Sequence, residues 1–363
     1  MTADEKQAAQ TPEDGRPAGA RRAARLGWLA AVSRDLYVDL ALLAALAVLL
    51  AVFGAASSGR EFLETNLVSI LDAGSILGVV TVGEVIVMIS GNLDISVGSN
   101  TGLVSAALAV VMAHSHANLA LGLLAAVAVG LVAGAINGVA VAYARVNSVI
   151  ATLATYSAYL GVALLVTNGQ EVGIDSSALG TLGTGRLLSV PYLVIVLIVV
   201  ATIVMTLMRH SLGGHRVYAV GGSQQASLMA GIKVQRYLFV MFLLSGLCAA
   251  IAGVMLAGQT GTAQPTEGSV GLELTAITAV LLGGTGLSGG TGTVFGAILG
   301  VLVLSTLDNG LLLLGVPAFW QEVATGAVLM IAVLLQDFSG HRNRLRAMRA
   351  ARRRAQRAAG ATL

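Results

Sequence analysis

The chain has 363 residues, of which 56% are hydrophobic and 11% are charged, and its formal net charge is +3. Its mean hydropathy of +0.85 lies far above that of ordinary soluble domains. These values exclude a soluble globular protein, because a water-facing fold could not bury so much apolar surface. Aromatic residues make up 4% while glycine occurs 45 times, a composition typical of helices that pack closely in lipid.

Residues 1–35 are polar, and they lack the apolar core and cleavage site of a secretory signal. We expect a disordered cytoplasmic tail there. Apolar segments follow, and we compare each with the roughly 20 residues that a membrane helix takes. The ten predicted spans, two of them short, are 36–56, 67–90, 97–113, 119–144, 149–167, 192–208, 237–257, 272–282, 294–314 and 319–335. The predicted fold is an all-α integral membrane protein with about ten transmembrane helices, some broken or short, in one transmembrane domain over 36–337.

Basic residues predict the orientation, since loops that carry Lys and Arg stay on the cytoplasmic side. With ten crossings and the amino terminus inside, only Arg60 and Arg186 of the 21 basic residues fall outside. An odd number of crossings would move the arginine-rich tail 338–363 to the other face. We therefore expect both termini to be cytoplasmic, and we expect the tail to bind anionic membrane lipid rather than nucleic acid.

The residues do not predict enzyme or metal chemistry. The single cysteine, Cys248, lies in an apolar run, and the five histidines do not pair with carboxylates at metal-ligand spacing. The chain has no Gly-Lys-Ser or Gly-Lys-Thr string, so any ATP would be hydrolysed on another subunit. The string GTGLSGG at 284–290 matches GxGxxG, but it lies between two membrane spans and predicts a tight glycine turn. We expect no metal and no cofactor on this chain.

Two series of glycines recur at every fourth residue, which places a stripe without side chains on one helix face. The two series are Gly130, Gly134 and Gly138, and Gly292, Gly296 and Gly300. We interpret both as helix-packing positions without a role in transport.

Carboxyl side chains also occur inside the predicted spans, where an ionised carboxylate costs roughly 2.5–3.5 kcal/mol. They are Asp72, Glu84, Asp94, Glu273 and Asp308. Around Asp94, the string SGNLDISVGS at 90–99 places polar residues between glycines. Two interpretations stay open: a broken helix whose backbone lines a cavity at membrane depth, or a polar hairpin at the cytoplasmic surface.

The longest internal polar stretch runs over 209–236. Within it, Ser223 is suited to begin a short helix as its N-cap, and Gly231 is suited to end it. A short cytoplasmic helix between membrane spans is a docking surface for a partner, whereas the alternative is a plain amphipathic linker.

Several strings, in this order, resemble the permease family of bacterial ribose, xylose, arabinose and galactose ABC importers, within the branched-chain amino acid/sugar permeases. The resemblance covers about 67–337. Its strings are SGNLDISVGS at 90–99, Asn137-Gly138, IATL at 150–153, YAVGG at 218–222, 226–232, Glu273, the glycine run 283–292 and DNG at 308–310. The chain departs from the family pattern at Asn92, where glycine is usual, and at Gln225, where alanine is common.

The resemblance implies a permease homodimer in the bacterial inner membrane. An ABC ATPase subunit would dock on its cytoplasmic loops, and a periplasmic solute-binding protein would deliver a pentose- or hexose-like monosaccharide. ATP would be used by the ATPase subunit. By this resemblance, the translocation pathway includes Glu84, Asn92, Asp94 and Ser96. The ATPase coupling loop includes Gly222, Ser223, Gln225, Ala226 and Gly231.

Three alternatives remain at this stage. The first is another cargo within the same family, such as a polyol, an autoinducer or a branched-chain amino acid. The second is an ion-coupled secondary transporter, which would use Glu84, Asp94 or Asp308 as its coupling carboxylate. The third, an intramembrane enzyme, is disfavoured because Ser288 has no histidine within a span to activate it.

Overall fold

The computed structural model describes residues 18–266, 268, 271–317 and 319–334, with side chains from residue 36 onward. Its helices are α1 (Ala18–Ala56), α2 (Glu64–Ile89), α3 (Val97–His114), α4 (Leu119–Gly138), α5 (Ser148–Thr167), α6 (Ser177–Thr184), α7 (Tyr192–His210), α8 (Leu212–Gly222), α9 (Gln224–Met229), α10 (Val234–Thr260), α11 (Leu272–Leu282), α12 (Val294–Leu313) and α13 (Phe319–Leu334). A 3₁₀ turn at Arg60–Phe62 precedes α2, and a π turn at Val139–Tyr143 extends α4.

Eight of the described helices are long and apolar enough to cross a membrane, and α11 and α13 are shorter apolar helices. The prediction of an all-α membrane protein is therefore confirmed. Helices form here because a bilayer offers no water to satisfy backbone groups, so each crossing must bond internally. Polar caps mark where these helices begin: Asn147 accepts a hydrogen bond from the Val149 amide (3.0 Å), and Thr293 accepts one from the Gly296 amide (2.9 Å).

The start of α1 corrects the predicted tail. We expected disorder over residues 1–35, but the helix begins at Ala18, so residues 18–35 are helical. This segment is rich in alanine, arginine and leucine, which favour helix, and it runs directly into an apolar span. Residues 1–17 and the basic tail 338–363 lie outside the described residues.

One end of the molecule is defined by contacts between four interhelical connections, and we call it the Arg236 end. The Gly290 amide donates to the Ile89 carbonyl (2.8 Å), and the Tyr218 hydroxyl donates to the Gly292 carbonyl (2.9 Å). The Leu93 amide donates to Ser148 Oγ (3.3 Å). These bonds join the connections α2–α3, α4–α5, α7–α10 and α11–α12.

The opposite end, called the Arg60 end, joins connections that alternate with the first set. A two-residue strand β1 (Val172–Gly173) pairs antiparallel with β4 (Thr262–Ala263), and β2 (Arg186–Leu187) pairs with β3 (Val190–Pro191). The Arg60 guanidinium donates to the Leu313 carbonyl (3.4 Å), and Arg186 pairs with Glu64 (3.7 Å). The alternation agrees with a chain that crosses at every predicted span.

The core of the bundle is built around α2, α3 and α10. The apolar window is 83% buried in α2, 72% in α3 and 61% in α10, whereas that of α1 is 11% buried. Gly130 and Gly134 of α4 lie directly against the backbone of α10 at Gly246, so a larger residue at either position would collide with it. Gly138 lies against Phe239. This close approach lets dispersion contacts hold two helices together where the hydrophobic effect cannot.

The second glycine series is only partly helical. Gly296 and Gly300 of α12 face Gly283 and Ala279 of α11 at close range. Gly292 precedes the helix, with a φ of 124°, and lies against Thr285 in the connecting turn. The prediction that Gly292 continues the stripe is therefore wrong, because the Thr293 cap starts the helix after it.

Candidate functional site

The helical structure is interrupted between α2 and α3, at residues 90–96. The polar residues around Asp94, which lie in this break, are well inside the membrane region. Asp94 bonds to Ser245, which is nine residues along α10 from Arg236, or about 14 Å at the helical rise. Because the hydrocarbon core is about 30 Å thick, a group at this depth lies inside it and not at the membrane surface. Of the two interpretations of this string, the broken helix at membrane depth agrees with the structure.

The Asp94 carboxyl group is the centre of a hydrogen-bond network. Its Oδ1 accepts from the Ser96 hydroxyl (2.7 Å) and from Asn137 Nδ2 (3.3 Å), and its Oδ2 accepts from the Ser245 hydroxyl (2.9 Å). Glu84 Oε1 accepts from the Asp94 amide (3.2 Å). All five side chains are buried. We call these five residues the Asp94 cluster; it joins α2, the break, α4 and α10.

Helix α5 covers the backbone of the same break. Ser148 and Thr152 accept hydrogen bonds from the Leu93 and Ile95 amides (3.3 and 3.1 Å). One turn further along, the Thr155 hydroxyl donates to Asn137 Oδ1 (2.7 Å). These side chains take the place of water at the backbone amides of the break. Burial of bonded polar groups in this way is what membrane depth requires.

A second broken crossing involves α11. This helix has 11 residues, about 16 Å, which is roughly half of the hydrocarbon thickness. It ends next to the Arg236 end, so its first residue lies near the middle of the membrane. Gly271, with a φ of 81°, precedes it, and the Glu273 side chain of its first turn lies against Gly98 of α3. The first turns of α3 and α11 therefore meet inside the bundle.

A cavity of about 510 Å³, lined by both apolar and polar side chains, opens beside the break before α11. Side chains from α2, α10, α11, α12 and α13 line it, and we call it the α11 cavity. Its polar lining residues are Ser69, Thr275, Ser305, Asp308, Asn309, Gln321 and Glu322. Exposed backbone and polar side chains at this depth are tolerated where they line a cavity, so the arrangement suits a path for a polar solute.

The predicted short helix in 209–236 is present as α9. Ser223 is its N-cap and accepts from the Ala226 amide (3.2 Å), and Gly231 follows its end with a φ of 78°. Gln225 and Ala226 are exposed, as are Leu228 and Met229, the latter at 87% of its surface. Exposed apolar side chains on a helix outside the bundle form a surface suited to a partner.

Glycines connect the α8–α9 segment to both the α2–α3 break and the α11–α12 turn. Gly221 at the end of α8 lies against the Ile89 carbonyl and the Gly290 amide, too close for any Cβ. Gly289 in turn lies against Gly91. Because these backbones are in direct contact, a displacement of α9 would also displace the α2–α3 break, which contains Asp94.

The structure brings together three of the four predicted pathway residues and separates the fourth. Glu84, Asp94 and Ser96 share the Asp94 cluster, whereas Asn92 is half-buried and bonds to Ser90 (3.2 Å). None of the hydrogen bonds given above joins this cluster to a residue of α9 or to a residue that lines the α11 cavity. Sequence reasoning missed Ser245, Thr155, Gln321 and Glu322 as candidate site residues. A readable signal existed for α5, since Ser148, Thr152 and Thr155 share one helical face.

Comparison with known protein families decides the identity of this architecture. Residues 66–333 match the family described as branched-chain amino acid transport system / permease component. The chain belongs to this family. The matched region includes both broken crossings, α9 and the α11 cavity, so this branched-chain amino acid transport permease family covers every site described above.

Curated relatives of this family cover most of the chain. The ribose import permease protein RbsC of Escherichia coli (strain K12) is 36% identical, over 81% of this chain and 92% of its own length. The xylose transport system permease protein XylH of Haemophilus influenzae is 31% identical, over 84% and 96%. The L-arabinose ABC transporter permease protein AraH of Azospirillum brasilense is 35% identical, over 78% and 83%. No solved structure matches the chain.

Proposed function

We propose that this chain is the permease subunit of an ABC importer that carries a monosaccharide across the bacterial inner membrane. The observation that carries the proposal is the agreement among relatives: the three permeases above are named for ribose, xylose and L-arabinose, and each is similar over most of its length. The chain itself binds no cofactor in this proposal, and ATP is hydrolysed on a partner subunit.

The α11 cavity supports a polar cargo. Its volume of about 510 Å³ is within the range of small-molecule sites, about 300–1,000 Å³. Asp308, Asn309, Gln321 and Glu322 supply both donors and acceptors, which sugar hydroxyls require. The lining also includes Ile76, Leu77 and Leu272, which would contact the apolar ring face of a sugar or an apolar side chain, so the choice of a sugar rests on the relatives named above.

The Asp94 cluster is proposed as the barrier that closes the pathway at its middle. Glu84, Asn92, Asp94 and Ser96 lie on or next to the α2–α3 break, and most of their polar atoms are bonded within the protein. Passage of a solute requires these bonds to be exchanged for others. This exchange of hydrogen bonds costs free energy. A partner subunit can supply it by binding two conformations of the permease with different affinities.

The ATPase partner is proposed to act on α9. Gly222, Ser223, Gln225, Ala226 and Gly231 form or flank this exposed helix, and the glycine contacts at Gly221 lead from it to the break. In this arrangement the Arg236 end is cytoplasmic, both termini lie inside, and the binding protein delivers solute to the Arg60 end. Two copies of the chain are proposed to form the permease.

Orientation is tested by labelling with a membrane-impermeant maleimide in intact cells. The variants are Gln170→Cys at the Arg60 end and Gln225→Cys in α9, both exposed. The native Cys248 is buried, which keeps the background low. We expect labelling of Q170C in intact cells and of Q225C only after lysis. The reverse pattern would overturn the assigned orientation.

Function is tested by copurifying the chain with its proposed ATPase and solute-binding protein partners, then measuring uptake in proteoliposomes. We expect ATP-dependent uptake of a pentose or hexose when the loaded binding protein is added. Exchanging 224–229 for a flexible Gly-Ser segment should abolish ATP-driven uptake and leave folding intact. Uptake that follows a proton or sodium gradient without the ATPase would contradict the proposal and favour an ion-coupled transporter.

A further inference from the structure

A second cavity, which opens on the exposed face of α7 at Ile203 and Leu207, has a different chemistry from the α11 cavity. It is a groove of about 780 Å³ between α7, the start of α8 and α10. We call it the α7–α10 groove. It includes Ala230 to Lys233, the segment that directly follows α9, so its mouth is at the Arg236 end.

The membrane-depth part of this groove is apolar throughout. Val200, Val204 and Leu207 of α7 face Val240, Leu244 and Leu247 of α10, and the floor is reached at Ile86 and Cys248. A sugar would find neither donors nor acceptors on these side chains, so the groove is unsuited to the proposed cargo. Its lining suits a hydrocarbon chain, whose transfer from water is favourable in proportion to its buried area.

The mouth of the groove is basic. Arg216, Lys233 and Arg236 line it together with Tyr237, whose hydroxyl accepts a hydrogen bond from Arg216 (2.9 Å). Among the described residues that line the groove, none is acidic. Within the part of the chain that the structure describes, neither Lys233 nor Arg236 has an ion-pair partner. Three cations without a counter-charge beside an apolar channel would be complemented by an anionic group on a hydrocarbon tail.

The dimensions agree with one leaflet of a bilayer. Along α10, the lining runs from Arg236 to Ile251, which is about 22 Å at the helical rise. The apolar part of this run, from Val240 to Ile251, is about 16 Å long, close to the roughly 15 Å of half a hydrocarbon core. The cations therefore lie at headgroup level when the apolar part is at the level of the acyl chains, and basic pockets between membrane helices on the cytoplasmic side are known to suit anionic headgroups.

We infer that the α7–α10 groove is a binding site for an anionic phospholipid, with its phosphate at Arg216, Lys233 and Arg236 and an acyl chain along Val240, Leu244 and Leu247. The site is distinct from the proposed solute path. Since it includes the residues that follow α9, a bound lipid would contact the segment on which the ATPase is proposed to act.

Native mass spectrometry of the full chain in detergent tests the site without ATPase, binding protein or sugar, so its outcome is independent of the proposed function. The probes are dioleoylphosphatidylglycerol and dioleoylphosphatidylcholine, which share acyl chains and differ in charge. We expect a stoichiometric adduct with the anionic lipid at concentrations where the zwitterionic lipid gives none. Equal binding of the two lipids would show that the cations do not contribute, and would overturn the inference.

Paired charge variants locate the headgroup. Each basic residue near an anionic headgroup raises affinity about fivefold, so the double variant K233Q/R236Q should bind phosphatidylglycerol roughly 30-fold more weakly. The matched control, R145Q/R209Q, removes two exposed arginines of the same end that lie outside the groove lining. It should bind within about twofold of the parent. Equal losses in both variants would mean that only overall charge matters, and the site would be rejected.

An apolar variant locates the acyl chain. Leu244→Trp fills the groove, whereas Val199→Trp adds the same ring to an exposed position of α7 outside it. We expect the lipid adduct to be lost only in L244W. Retention of the adduct in L244W, or its complete displacement by an excess of inorganic phosphate, would contradict acyl-chain binding. If L244W instead converts a dimer to a monomer with lipid binding unchanged, a second copy of the chain covers the groove and the inference fails.

Discussion

The Asp94 cluster and the α11 cavity are both polar regions inside an apolar bundle, yet they are built in opposite ways. In the Asp94 cluster, five buried side chains and two backbone amides share hydrogen bonds of 2.7–3.3 Å, and among the buried side-chain polar atoms of the cluster only Glu84 Oε2 has no partner within the described residues. In the α11 cavity, the Asp308 carboxyl group accepts one long bond, from Thr325 (3.5 Å), and Asn309 Oδ1 has no partner within the described residues.

This difference separates polar residues that hold the fold from polar residues that are free to hold a solute. A buried carboxyl group at membrane depth is tolerated when protein donors satisfy it. A carboxyl group that lines a cavity with few partners keeps its hydrogen-bonding capacity for another molecule. Charge inside a membrane span therefore does not by itself identify the solute path; the number of protein partners is the better guide.

The largest effect on stability is expected for Asp94→Ala. The variant leaves the buried donors of Ser96, Asn137 and Ser245 without their acceptor, and each unsatisfied donor costs about 1–3 kcal/mol. We expect a loss of roughly 3–5 kcal/mol in the free energy of unfolding, measured by denaturant titration in detergent. Asp94→Asn keeps the volume and one acceptor oxygen and should lose less. A D94A variant as stable as the parent would remove the distinction between the two regions.

A smaller loss is expected for Thr155→Val, which keeps the shape of the side chain and removes the bond to Asn137 (2.7 Å). The expected cost is about 1 kcal/mol. Thr181→Val is the matched control, because Thr181 makes a similar bond to the Ser177 carbonyl (2.8 Å) on the exposed surface of α6. The control should unfold within about 0.5 kcal/mol of the parent. Equal losses in both would show that burial does not strengthen the cluster.

The smallest change in stability, with a clear change in transport, is expected for Asp308→Asn. The variant retains an oxygen for Thr325, so the free energy of unfolding should stay within about 0.5 kcal/mol of the parent. Loss of one charge-assisted bond to a solute hydroxyl should raise the KM for uptake roughly tenfold. Glu171→Gln, exposed at the same end and outside the cavity, is the control for surface charge. Unchanged uptake by D308N would argue against solute contact there.

Much of the fold could be predicted because its signals are local. The ends of the spans can be recognised in the sequence because apolar segments stop at residues that cap helices. The predicted spans 97–113 and 272–282 agree with α3 and α11 to within one residue. Ser223 and Gly231 likewise bound α9 as predicted. Residues 18–35 were assigned to the tail because their arginines lower the hydropathy, although those residues also favour helix.

The partners within each site could not be predicted, because they come together only when helices pack. Ser245 is 151 residues from Asp94 and Asn137 is 43 residues away. A single sequence does not say which helices are neighbours, so the saturation of Asp94 by protein donors was not visible. The α11 cavity could not be predicted for the same reason. Gln321 and Glu322 belong to α13, and they line one cavity with Asp308 of α12 only because these two helices pack together.

The short ladder between β1 and β4 has a mechanical consequence for α10. The ladder and the contact of Gly258 with Gly183 clamp one end of this 27-residue helix. The helix is about 40 Å long, so a tilt of about 5° around the clamp displaces its opposite end, near Val234, by roughly 3.5 Å. Ser245, less than halfway from that free end, would move by about 2 Å, a distance large enough to break a hydrogen bond to Asp94. A tilt of this kind would make the helix a lever that pivots at the β1–β4 ladder and moves the Ser245 side of the Asp94 cluster.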